Sequence, residues 1–101
     1  MLGNARIKPS GTTLSTLFTA SADCVISSIS ICNIGATATT FRMAVRPLGE
    51  GIDNSHYLYY DLPIDGNDTF ILTGGIVLKN TDVISVYSGN ANLSYNLFYT
   101  T

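Results

Sequence analysis

Apolar and polar residues alternate along most of the chain, and turn-forming residues break the alternation every eight to twelve positions. A period of two with that spacing predicts short strands packed as an all-β sandwich or barrel. No window holds a helical period for long. Eight segments read as strands: Ala5–Lys8, Leu14–Ala20, Val25–Asn33, Thr39–Arg46, His56–Leu62, Asp68–Leu72, Val83–Ser88 and Leu93–Tyr99. Gly74-Gly75 marks a bulge or corner before Ile76, Val77 and Leu78, and Gly89-Asn90 a hairpin turn.

The faces follow from the alternation. In Thr39–Arg46, Phe41, Met43 and Val45 are expected inward and Arg42, Ala44 and Arg46 outward. In the second segment Leu14, Phe18 and Ala20 share a face; in the last, Leu93, Tyr95, Leu97 and Tyr99 do. His56–Leu62 sets Leu58, Tyr60 and Leu62 against Tyr57, Tyr59 and Asp61. Val25–Asn33 is apolar on both faces, so it is either covered on both sides or bulged near Ser27-Ser28. The architecture expected is a single antiparallel β-sandwich over residues 1–101, jelly-roll-like with about eight strands, an immunoglobulin-like order being the alternative. Met1–Asn4 precede the first strand and are expected to form a free N-terminal arm. The loop Leu48–Ser55, with Gly49, Gly51, Asp53 and Asn54, is the candidate functional loop.

Composition sharpens this picture. A chain of this mass is expected to expose about 5,500 Å² when folded, which allows one core and little room for a deep cleft. Charged residues are 12% of the chain against a usual share of roughly 25%, while Ser and Thr together number 22 and Asn eight. A surface of uncharged polar groups and Tyr is the kind that packs against neighbours. A net charge of -2 gives no basic footprint for nucleic acid. No apolar run has the length of a membrane span or of a signal-peptide core, so synthesis in a reducing cytoplasm is expected.

Little in the chain points to catalysis. Cys24 and Cys32 lie eight residues apart on one predicted strand, about 26 Å and too far for a disulfide, with the even offset placing both on one face. His56, the one histidine, could pair with either thiol as a base, but no activating third group stands out, and the expectation is no enzyme. Asp61, Asp65 and Asp68 surround a turn but lack the ligand number of a calcium site, so no metal or cofactor is expected. The triplets at Asn67 and Asn92 match the glycosylation pattern by chance. Tyr57, Tyr59, Tyr60, Tyr87, Tyr95 and Tyr99 could supply a sugar-stacking surface or an interface patch. The candidate interface residues are Arg42, Arg46, His56, Tyr57, Tyr59 and Asp61.

Several stretches carry a resemblance: Gly3–Ile7 followed by Pro9–Leu14, Ile29–Asn33, Ala38–Pro47, His56–Phe70 and Leu78–Gly89. Over nearly its whole length the chain resembles a group of small tailed-phage proteins common in cyanophages and other aquatic phages. The resemblance implies a virion component: a head-decoration (cement) protein, or else a small β-sandwich subunit attached to the tail. The leading expectation is a capsid decoration protein clamping neighbouring subunits, and the alternative is a tail, baseplate or fibre module that assembles in the tail or binds a host-surface glycan. The implied partners are the phage major capsid protein or tail proteins, and further copies of the chain, a trimer suiting the three-fold sites of a shell. No nucleic acid or membrane partner, and no catalytic residue, comes with it.

Overall fold

The computed structural model describes Met1–Thr101. Eight strands form: β1 (Leu2–Ile7), β2 (Ser15–Thr19), β3 (Cys24–Asn33), β4 (Thr39–Arg46), β5 (Tyr57–Ile64), β6 (Thr69–Leu78), β7 (Val83–Ser88) and β8 (Leu93–Thr100). Single 3-10 turns at Pro47–Gly49 and Asn54–His56 are the only helical segments, and no helix is long and apolar enough to cross a membrane. The strands make two four-stranded antiparallel sheets, ordered β1-β8-β3-β6 and β2-β7-β4-β5.

That order follows from one long folded ribbon. β1 pairs with β8, β2 with β7, β3 with β6 and β4 with β5, so the chain doubles back on itself at the β4–β5 loop. Rolling the ribbon up adds the β3–β8 and β4–β7 pairings. This is the jelly-roll order, and the immunoglobulin-like alternative falls away. The exposed area is 5280 Å², close to the size-based expectation.

The core lies between the sheets. Ile26, Ile29, Ile31, Leu93, Tyr95 and Leu97 from the first sheet meet Leu17, Phe41, Met43, Ile84 and Val86 from the second. Each such side chain contributes about 1.5–3 kcal/mol by leaving water. Phe41, Tyr59 and Phe70 close the β5–β6 side, with ring centroids 5.4–5.9 Å apart. One polar pair crosses the core: Tyr95 Oη and Ser88 Oγ are 2.8 Å apart, and burial pushes the Tyr95 phenol up to about 12.

Four expectations are corrected. Met1–Asn4 do not form a free arm, since Leu2, Gly3 and Asn4 pair with Thr100, Tyr99 and Phe98. Gly89-Asn90 does not close a hairpin: β7 and β8 belong to different sheets, and the turn carries the chain between them. Cys24 and Cys32 do not share a face. The register of β3 shifts between Ile26 and Ser28, which places Cys24 and Ile26 inward before the shift and Ile29, Ile31 and Asn33 inward after it. Both thiols are free, Cys24 buried and Cys32 half-buried on the outer face. In the second segment Phe18 and Ala20 pack on the core, but Leu14 is exposed, and the bulge between Thr16 and Phe18 turns Leu17 inward beside them.

Candidate interaction site

The outer face of the second sheet is shaped by an irregularity in β5. Leu62 pairs with Phe41 and Tyr59 with Met43, so Tyr60 and Asp61 together stand opposite Arg42. Asp61 takes φ 53, a conformation unusual for a residue with a side chain. A second shift lies between Tyr59 and Tyr57. The strand therefore departs from strict alternation: Tyr59 and Leu62 pack on the core, and Tyr60 emerges on the outside with Tyr57.

Arg42 organises what emerges. Its Nε donates to Asp61 Oδ1 at 2.6 Å and its Nη2 to Oδ2 at 3.3 Å. The guanidinium carbon lies 4.1 Å from the Tyr60 ring centroid and 4.6 Å from that of Tyr87, its cross-strand partner on β7. Three adjacent strands thus present a Tyr60–Arg42–Tyr87 stack, in which a cation faces two π-systems. The hydrogen bond from Arg42 holds the Asp61 carboxyl below the usual carboxylate range, and Asp61 in turn raises Arg42. Tyr57 meets Tyr60 edge to face, with centroids 4.9 Å apart and planes at 85°. Asn54, Tyr57 and Tyr60 line an open hollow of about 400 Å³.

Arg42, Tyr57 and Asp61 from the sequence-based set therefore converge. The other three do not join them. Tyr59 lies among core rings. Arg46 fastens the β4–β5 loop, donating from Nε to Ser85 Oγ at 3.1 Å and from Nη1 to the Glu50 carbonyl at 2.8 Å. His56 closes the 3-10 turn at the end of that loop: its Nδ1 accepts the Asp53 N–H at 3.0 Å, and its Nε2 is 3.6 Å from Glu50 Oε1. Asp53 completes the turn by accepting the Ser55 N–H at 3.0 Å. The loop's residues from Pro47 to Ser55 are exposed, as expected, but its base is pinned again where Asp82 accepts the Leu48 N–H at 3.0 Å.

Tyr60, Tyr87 and Asn54 complete the site, and none of them is among the six candidate interface residues. Adjacent Tyr59 and Tyr60 must face opposite ways in a regular strand, and the bulge at Asp61 decides which faces out. The acidic cluster disperses: Asp61 turns to Arg42, and Asp68 Oδ1 accepts the Thr69 N–H at 2.8 Å. No protein-family model matches the chain, and no curated protein matches its sequence.

Proposed function

We propose that the chain is a non-enzymatic structural protein of a tailed-phage virion, a decoration subunit that clamps neighbouring capsid subunits. The observation that carries this reading is the Tyr60–Arg42–Tyr87 stack. It is held rigid by Asp61, Tyr60 is 58% exposed, and it contributes nothing to the core. Tyr and Arg fixed in advance are the residues that anchor protein interfaces, because little side-chain freedom is lost when they are covered. The outer face of the first sheet supports the same reading. Arg6 is its one charged side chain, and Leu2, Val25, Ile71, Val77 and Phe98 are exposed on it. The jelly roll is an architecture of viral shells and of lectins, which is support by analogy of fold.

The hollow beside Tyr57 favours a second reading, a tail or fibre module that binds a host-surface glycan. Two perpendicular rings and the Asn54 amide offer a sugar both an apolar face and hydrogen bonds. Imaging intact particles of the phage that encodes the chain separates the two. The decoration reading expects copies arrayed over the capsid, and loss of them with Tyr60→Ala, whose ring is outside the core, while the isolated domain keeps its unfolding midpoint. Copies confined to the tail favour the second reading, and absence from particles overturns both.

A further inference from the structure

Four strands end the two sheets, and three of them are guarded. β2 is five residues long and bulges at Leu17. β5 carries Asp61 and Pro63 and shifts register twice. β1 is six residues long and carries Arg6. β6 is different: ten residues, neither charge nor proline, and β3 as its one neighbour. Its free edge is a row of backbone N–H and C=O groups, which proteins ordinarily blunt because any strand can add to it. The Gly74-Gly75 bulge interrupts only the later part. Thr69–Thr73 keeps unbroken register with Cys32–Ser28.

This free stretch reads Thr-Phe-Ile-Leu-Thr, nearly the same in both directions. An antiparallel copy centred on Ile71 sets Thr69 opposite Thr73, Phe70 opposite Leu72, and Ile71 opposite itself. Directly opposed residues share a face. Core-facing Phe70 and Leu72, half-buried because the edge beside them is open, would cover each other. Ile71, 60% exposed on the outer face, would cover its twin between flanking threonine pairs. A one-residue slip sets core-facing against outward side chains and loses all of this.

We infer that β6 of one copy pairs with β6 of a second, antiparallel about Ile71, joining two first sheets into one continuous sheet across a two-fold axis. The contact is isologous and closes on itself as a dimer. It is also short, so it forms at high protein concentration or where copies are held side by side. It stands independently of the proposed function.

Cysteine cross-linking tests the register in a Cys32→Ser background. Opposed antiparallel residues have Cα atoms roughly 4.5–5.5 Å apart, within disulfide reach. I71C is expected to cross-link with itself under mild oxidation. T69C and T73C are expected to cross-link when mixed but not alone, since each lies about 13 Å from its own twin. The weight-average mass should rise with concentration from 10.8 kDa toward twice that value. I71K should hold it at the monomer with an unchanged unfolding midpoint. Equal self-cross-linking by all three cysteine variants, a wild type that stays monomeric at millimolar concentration, or a trimer indifferent to I71K would overturn the inference.

Discussion

Replacing Asn33 with alanine should loosen one whole end of the sandwich. Asn33 ends β3 with its side chain fully buried. Its Nδ2 donates to the carbonyls of Thr37 at 2.9 Å and Asp65 at 3.2 Å, and its Oδ1 accepts the Gly35 N–H at 3.0 Å. One side chain therefore ties the β3–β4 loop to the β5–β6 loop, beside the Asn67 N–H to Gly35 carbonyl bond of 2.8 Å. At a net value of about 1 kcal/mol for each of these three bonds, Asn33→Ala costs about 3 kcal/mol. In a domain of this size that lowers the melting temperature by about 12–24 °C. Asn33→Asp keeps the acceptor but loses both donors and buries a carboxylate, so it should be at least as damaging. Urea unfolding gives the free energy, and amide exchange at Gly35 and Asn67 shows where the loss falls. A cost below about 1 kcal/mol with both amides still protected would refute the reasoning, because intact protein bonds would then not depend on Asn33.

Other expectations concern titration and close packing. The Tyr95 phenol sits above its unfolded value, so its contribution is complete below pH 10 and is lost as pH rises toward about 12. At 1.36 kcal/mol per unit that is about 3 kcal/mol, and a urea series should find Tyr95→Phe without that alkaline decline. Asp23 is held below its usual value by the Asn80 N–H and then by Lys79. Its contribution is present above pH 3.8 and fades as pH falls through the lower folded value, so Asp23→Asn should flatten the acid limb of the stability profile. A Cβ at Gly66 would collide with the Ala36 backbone carbonyl, so Gly66→Ala should destabilise by about 1–3 kcal/mol in thermal unfolding.

The strands were legible because one covered face imposes alternation, and Leu93, Tyr95, Leu97 and Tyr99 show it to the end of β8. What alternation cannot carry is a change of phase. At Ser27 an extra residue reverses the faces of β3, and two serines in a strand announce little. At Asp61 the bulge rests on a positive φ without glycine, held by Arg42 from another strand, so its cause is tertiary. For the same reason Arg42 and Asp61 could be named as surface residues but not as partners of Tyr60 and Tyr87. The Gly89-Asn90 turn shows a different limit: local turn chemistry is alike whether the chain re-enters the same sheet or crosses to the facing one.

The few charges acquire a meaning from where they lie. Lys79 and Asp82 hold the β6–β7 turn with Asp23, Arg46 and Asp53 hold the β4–β5 loop, and Lys8 reaches the Ala91 carbonyl across the opposite end. Arg42 and Asp61 neutralise each other. Charge is thus concentrated in loop ends and a closed pair, and the first sheet's outer face keeps only Arg6. Covering that face strips water from almost no ion, so the large desolvation penalty of buried charge does not arise. Contacts made there and along β6 should then scarcely respond to ionic strength. Between about 0.1 M and 1 M salt the screening length falls from roughly 10 Å to 3 Å, which would dissolve an interface held by unlike charges. Dimer formation measured by sedimentation across that range should hold or strengthen. A steep loss would mean that charged groups carry the contact, and that the sparse charge of this chain acts at its interfaces rather than being kept clear of them.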